Sequence, residues 1–263
     1  MRDVAAVKGS PLSSALNWLT APLDRTIRNT LAVAWRDTRA YFSSPMGYIV
    51  GAVFLALTGY FFVADISQPL AEASVRGYLG PATFILILMA PVLTMRLVAE
   101  EQKLGTIELL LTAPIKDWEV VLGKFLASMI FFVGTLAFTL YYVVLLYWFG
   151  DPDTGPVLTG YLGIILYGAA ALSVGLLAST FTSNQIVAAV VGFGLLLLLS
   201  LIDQTATLVR GIPAEILSQI SLSAHYDDFS RGVIDTSNLV YYISVTALFL
   251  FLAVRSLESR RWR

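Results

Sequence analysis

The chain of 263 residues contains no cysteine and a single histidine, His225. A disulfide framework and a thiolate metal site are therefore excluded, and a histidine-rich metal site has nothing to be built from. Charge is scarce as well: only 13% of the residues are Asp, Glu, Lys or Arg, while 57% are hydrophobic and the mean hydropathy is +0.76. Such a composition excludes an ordinary soluble domain. The formal net charge of −1 offers no basis for nucleic-acid binding. No cleavable signal peptide is read at residues 1–20, where Lys8, Gly9, Pro11 and Asn17 interrupt any apolar run.

What is present is a succession of apolar runs. About 20 apolar residues carry a helix across the hydrocarbon core, and six stretches qualify: Gly47 to Ala64, Tyr78 to Val98, Val120 to Phe149, Leu158 to Thr180, Ile186 to Ile202 and Leu239 to Val254. Helices are expected throughout, because lipid offers the backbone no hydrogen-bond partner. The fold expected is an all-α membrane protein of six spans. Placing both termini in the cytoplasm puts fourteen of the 17 Lys and Arg residues on that side and leaves Arg76, Arg210 and Arg231 outside. That asymmetry predicts an N-in, C-in arrangement.

Residues 1–27 read as a flexible cytoplasmic arm and 28–263 as the transmembrane domain. Within Arg28 to Ser43, Leu31, Trp35 and Phe42 share one helical face while Arg36 and Arg39 lie to one side of it. A basic amphipathic helix with Trp next to a span is expected to lie in the membrane interface, with an ordinary cytosolic helix as the alternative. Pro45 then permits the turn into the bilayer.

Between spans two and three, Arg96, Glu100, Glu101 and Lys103 leave the membrane and Gly105 breaks the helix. Thr106 is a suitable N-cap, Glu108 suits a helix first turn, and Pro114 disfavours the α conformation at Ala113. A short cytoplasmic helix is expected, whose Ile107, Leu110 and Leu111 either sink into the lipid interface or dock on another protein. Ala171, Gly175 and Ser179 recur every four residues in span four, and Ala188 and Gly192 repeat that spacing in span five. Such stripes allow close packing, within one subunit or between two. After span five, Pro213 can open a short helix carrying Ile216, Leu217 and Ile220, and Ser223 can cap a second carrying Tyr226 and Phe229. His225, Asp227, Asp228 and Arg231 have mixed signs, which fits local hydrogen bonds and ion pairs better than a catalytic or metal cluster.

The run from Ala99 to Pro114, AEEQKLGTIELLLTAP, followed by Asp117-Trp118 and Leu122-Gly123-Lys124, resembles permeases of the second class of ABC exporters. Ser43 to Ile49, Ser221 to Asp235 and the tail Arg255 to Trp262 are similar to the gliding-motility-associated branch of that family. The resemblance covers about Arg28 to Trp262. It implies a half-transporter in which two permeases pair, as two copies or as homologous partners, and two cytoplasmic ATPase subunits bind them. It implies further that Glu100, Glu101, Gly105, Thr106, Ile107, Glu108, Leu110, Leu111 and Pro114 form the coupling element. Glu100 and Glu101 are expected to hold that element against basic or backbone groups of the ATPase.

By the same resemblance, Leu31, Trp35, Arg36, Arg39 and Phe42 belong to a connecting helix. The segment before span six corresponds to re-entrant helices, with His225, Tyr226 and Phe229 as an outer gate. The family's pairing through spans one and five makes Ala188 and Gly192 candidates for packing between copies. No cofactor is expected on this chain, since ATP and Mg belong to the partner ATPase: the one Gly-Lys pair, Gly123-Lys124, lacks the upstream glycine of a phosphate-binding loop. Membrane lipids and an envelope or substrate-binding-like accessory protein complete the expected partners, in a bacterial cytoplasmic membrane. A secondary transporter would place an ionisable group at the midplane of a span, and the centres of all six lack one. Tyr141, Tyr142 and Tyr147 would suit a lipidic or amphiphilic cargo.

Overall fold

The structure is a computed structural model that describes residues 11–69, 73–106, 115–206 and 217–260. Among these residues the regular structure is all helix, with no strand. In chain order the helices are α1 (Pro11–Ser43), α2 (Pro45–Ile66), α3 (Arg76–Lys103), α4 (Asp117–Phe138), α5 (Leu140–Phe149), α6 (Thr154–Phe181), α7 (Gln185–Ala206), α8 (Tyr226–Ser230) and α9 (Thr236–Arg260).

Six helical stretches are long and apolar enough to cross a membrane, as the sequence reading expects: α2, α3, α4 with α5, α6, α7 to Ile202, and α9 to Ser259. The third is a single crossing with a break at Thr139, whose hydroxyl bonds the Leu136 carbonyl at 2.6 Å and meets Tyr161 Oη at 2.8 Å. Helix α1 differs from the reading of residues 1–27 as a flexible arm. It begins at Pro11, with proline in the first turn where a missing N–H costs nothing, and runs 33 residues to Ser43. A single residue, Ser44, separates it from α2. The Ser44 hydroxyl accepts the Met46 N–H at 3.3 Å, and Pro45 sits at the helix start.

The centre of the bundle is the pair α3 and α6, the two spans most enclosed by the rest of the chain. Their approach depends on the small stripe of α6. Ala171 and Ser179 are fully buried, and a Cβ at Gly175 would run into Thr94 Oγ1 and lie 3.3 Å from the Ala90 carbonyl. Ser179 Oγ of α6 reaches the backbone of α3, accepting from Val98 N (3.2 Å) and Ala99 N (3.0 Å) and donating to the Met95 carbonyl (3.1 Å). In lipid, where apolar burial does not drive helices together, close contact and interhelical hydrogen bonds of this kind are the available attractions.

Around this pair, α7 packs on both α3 and α6, α9 lies along α6, α2 lies along α3, and α1 lies along α4. Ala188 and Gly192 face inward, correcting the expectation that they serve packing between copies. Ala188 is 1% exposed, and a Cβ on Gly192 would meet Pro91 and Ala178 at 3.2 and 3.3 Å. Their smallness is used up inside the chain. The outward face of α7 is large and apolar instead, with Ile186, Val190 and Leu198 exposed.

Replacing Gly175 with Leu overpacks the α3–α6 contact and is expected to cost about 1–3 kcal/mol. The check is the thermal unfolding midpoint of the purified protein in detergent: it falls in Gly175→Leu, and an unchanged midpoint contradicts this packing.

Candidate functional site

One end of the bundle gathers most of the basic side chains among the described residues, and there three helices meet on a buried charge. Lys124, in the second turn of α4, is 2% exposed. A lysine in that position needs a counter-charge, because an unpaired buried ammonium is prohibitively costly. It has two: its Nζ lies 3.2 Å from Asp37 Oδ2 on α1 and 2.9 Å from Glu101 Oε1 at the end of α3. Arg36 closes the ring, with Nε 2.8 Å from Asp37 Oδ1 and Nη2 2.6 Å from the same Glu101 Oε1. Burial works against the Arg36 charge, yet the two carboxylates raise its pKa above the ordinary arginine value. One turn back on α3, Arg96 pairs with Glu100 at 2.9 Å and donates to Ser44 Oγ at 3.1 Å, which ties α3 to the cap of α2.

Backbone packing brings these groups within reach. A Cβ on Gly123 would stand 2.7 Å from Val33 Cβ and 2.8 Å from the Thr30 carbonyl, so only glycine lets α1 lie this close to α4. Glu119, in the first turn of α4, accepts from Thr26 Oγ1 (2.9 Å) and Asn29 Nδ2 (3.0 Å) on α1, and from the Lys116 N–H (3.3 Å). Tyr41 Oη donates to the Leu93 carbonyl at 2.7 Å. Gln102 donates to the Thr180 carbonyl (3.1 Å), and Thr180 bonds Ser256 (2.9 Å), so the ends of α6 and α9 join the same assembly.

The residues expected to form the coupling element divide. Glu100 and Glu101 are engaged by this chain's own Arg96, Arg36 and Lys124 rather than held out for a partner. The reason is proximity: α1 and α4 bring cations to the end of α3. Gly105 has φ +70°, a left-handed conformation that suits glycine, and Thr106 Oγ1 donates back to the Glu101 carbonyl at 3.3 Å. Ile107, Glu108, Leu110, Leu111 and Pro114 lie outside the described residues.

On α1, Leu31, Trp35 and Phe42 are about half exposed, at 54, 57 and 47%, and Arg39 lies over the Trp35 ring at 4.8 Å. The opposite face, with Val33 and Ala34, is buried against α4. The helix is thus two-faced as the sequence pattern requires, and Arg36, half exposed at its edge, reaches into the ion cluster.

At the other end of the bundle, the proposed gate residues are packed shut. Tyr226 and Phe229 are 4% and 0% exposed, Thr159 Oγ1 donates to the Phe229 carbonyl at 2.6 Å, and Arg76 Nε donates to the Ser230 carbonyl at 2.7 Å. His225 stacks on Tyr241 with ring centres 3.7 Å apart, while its Nδ1 lies 2.8 Å from the Ser221 carbonyl. Asp228 accepts from Asn238 at 2.8 Å. Ser223 does not cap α8 through its side chain; its backbone carbonyl accepts the Tyr226 N–H at 3.0 Å. Pro213 and Ile216 are outside the described residues, and 217–220 are helical. Of the three tyrosines considered for a cargo wall, Tyr142 stacks on Phe62 and bonds the Leu55 carbonyl within the chain, whereas Tyr141 and Tyr147 are exposed.

Sequence reasoning missed Asp37 and the central role of Lys124. The signal was available: Lys124 lies inside the apolar run from Val120 to Leu126, and such a lysine calls for a carboxylate from elsewhere in the chain.

Six apolar spans and a charged platform at the basic end define a multi-pass helical membrane protein whose polar machinery sits at the ends of its spans. The profile of the family described as ABC-2 family transporter protein matches residues 14–260, and the chain belongs to that family. Among curated proteins it is similar to the probable multidrug ABC transporter permease YbhS of Escherichia coli strain K12, 28% identical over 206 residues, which is 70% of this chain and 54% of the relative. It is also similar to the probable multidrug ABC transporter permease YbhR of the same strain, 25% identical over 138 residues, covering 52% and 37% of the two chains. The chain thus spans about half the length, or less, of the curated relatives it matches.

Substituting Lys124 with Met leaves Asp37 and Glu101 with Arg36 as their one remaining cation and is expected to cost about 3 kcal/mol, the low end for a broken buried pair. Adding Asp37→Asn and Glu101→Gln to Lys124→Met is expected to recover part of that loss. Urea unfolding of the purified protein in mild detergent measures both; a neutral Lys124→Met would contradict the arrangement.

Proposed function

We propose that this chain is the membrane-spanning permease subunit of an ATP-driven ABC exporter in a bacterial cytoplasmic membrane, with both termini inside. Two permeases, identical or homologous, pair in the membrane, and two ATPase subunits bind their cytoplasmic ends. The ATPases hold the ATP and Mg; this chain contributes no nucleotide site and is not itself the enzyme. The observation that carries this reading is the buried ion cluster: it fastens α1, α3 and α4 together immediately beside the segment 105–114, making a rigid mount for a coupling element. Motion imposed on that segment passes into α3, and from α3 into α6 through the Ser179 bridge.

ATP binding can drive such a change only if the ATPases contact one arrangement better than the other. In this proposal Ile107, Leu110 and Leu111 supply the apolar contact, and the Leu31, Trp35 and Phe42 face of α1 rests in the lipid interface beside it. Tyr226, Phe229 and His225 close the outer side. The relatives' names, probable multidrug ABC transporter permeases, point to drug molecules as the cargo. A second reading rests on the similarity of residues 43–49, 221–235 and 255–262 to the gliding-motility-associated branch: the same cycle performs mechanical work on envelope machinery, through an accessory protein, without carrying a soluble cargo. Uptake into inverted vesicles separates the two.

Co-expression with the cognate ATPase, followed by hydrolysis measurements on the purified complex, tests the coupling assignment. Stable association and permease-dependent ATP hydrolysis are expected for the wild type. Leu110→Asp buries a charge in the contact and is expected to lower that hydrolysis about tenfold or more. Undiminished assembly and hydrolysis in Leu110→Asp would exclude it.

A further inference from the structure

The outward face of α1 divides lengthwise by chemistry. Ile27, Leu31, Trp35 and Phe42 form one strip and are all exposed. Arg25, Arg28 and Arg39 form the strip beside it and are exposed as well. Arg39 lies over the Trp35 ring at 4.8 Å, where the two strips touch. The stretch 25–43 holds one acid, Asp37, and that acid is buried against Lys124 and Arg36. Other acids at this end are also engaged within the chain: Glu100 with Arg96, Glu258 with Arg255, and Glu119 with Thr26, Asn29 and the Lys116 N–H. Arg25, Arg28 and Arg39 are thus left without an ion pair among the described residues.

Continuity and charge together indicate what covers this face. Ser44 alone separates α1 from the span α2, whose Tyr48, Ile49 and Val53 are exposed, so the apolar strip runs up to a surface that lipid covers. An apolar strip flanked by cations suits a helix at a bilayer boundary, with the apolar side chains toward the acyl region and the cations at phosphate depth. A folded protein partner would have to present a carboxylate opposite each arginine, whereas an anionic leaflet presents phosphate along the whole strip. Guanidinium is also the side-chain cation best matched to phosphate oxygens.

We infer that the outward face of α1 binds an anionic lipid surface, with Arg25, Arg28 and Arg39 on the headgroup phosphates of lipids such as phosphatidylglycerol. Phosphatidylcholine carries phosphate too, but its ammonium group cancels the net charge. An arginine held near an anionic surface favours it by about fivefold. Because α1 is fastened to α4 through Asp37 and the contact at Gly123, the lipid so bound becomes part of the support of the ion cluster.

This inference rests on the permease reading for the side of the membrane on which α1 lies. It is tested without an ATPase, so a failed lipid preference leaves the hydrolysis experiment standing. The chain has no cysteine, so Leu31→Cys gives a single thiol for an environment-sensitive fluorophore. The labelled full chain is reconstituted in vesicles of phosphatidylcholine and phosphatidylglycerol, with one or the other brominated as the quencher. Brominated phosphatidylglycerol is expected to compete for the surroundings of position 31 at least about fivefold better than brominated phosphatidylcholine. Val53→Cys, on the exposed face of α2, is expected to show no such preference and reports that each variant is inserted.

Replacing Arg25, Arg28 and Arg39 together with Gln is expected to bring the two lipids to equal quenching at position 31, and high salt is expected to narrow the difference. Equal quenching by the two lipids in the arginine-bearing chain overturns the inference. So does the absence of quenching at position 31 while position 53 is quenched, which would leave this face to a protein partner. A preference that survives the triple substitution overturns the assignment to these arginines.

Discussion

The ammonium group of Lys124 is the point on which the basic end of this protein depends. It comes from α4, and its counter-charges come from α1 and α3, so three helices hold their mutual positions only while the group stays paired. Buried ion pairs are poor evidence for net stability, since desolvation consumes much of the attraction. Their effect here is specificity of arrangement. Sliding α1 along α4 by a turn would separate Asp37 from Lys124 and leave the buried ammonium with Glu101 alone, a costlier outcome than the loss of an apolar contact. Gly123 adds a steric condition to the electrostatic one, because α1 reaches the cluster only where α4 presents no side chain.

The rest of the fold is tied to that end by packing and hydrogen bonds. Helix α3 carries Glu101 at its end and Ser179's two amide partners just before it, so the ion cluster and the α3–α6 bridge are separated by less than one turn of helix. Helix α6 in turn receives α8 at the far end through Thr159 and the Phe229 carbonyl. A continuous path of packed, hydrogen-bonded contacts therefore runs from one end of the bundle to the other. That path makes no use of an ionisable group at mid-membrane, in keeping with spans whose centres carry none.

Much of this was legible in the sequence, and the exceptions have physical causes. Six spans follow from the length of the apolar runs, because the bilayer imposes a length that few other folds share. The break at Gly105 and the turn at Ser44-Pro45 follow from local backbone chemistry. The partners of Glu100 and Glu101 did not, since local reading sees an acid leaving the membrane and cannot see that Asp37 and Lys124, 87 positions apart in the chain, meet beside it. Ala188 and Gly192 illustrate the same limit. A small-residue stripe states that something packs closely but not what, and in this chain it is α3 and α6 rather than another copy. The extent of α1 was underestimated because Pro11, Pro22 and polar residues break its amphipathic pattern without forbidding a helix.

The central claim is that the segment leaving α3 beyond Gly105 meets an ATPase at the cytoplasmic face. A chain without cysteine offers a clean measurement: Leu110→Cys introduces the single thiol, and a short bifunctional cross-linker is applied to native membranes containing the complex. The account predicts a cross-link from position 110 to the ATPase subunit, with its yield altered when ATP is bound. Modification of the thiol by lipid-phase reagents alone, with no cross-link to the ATPase in any nucleotide state, would contradict it.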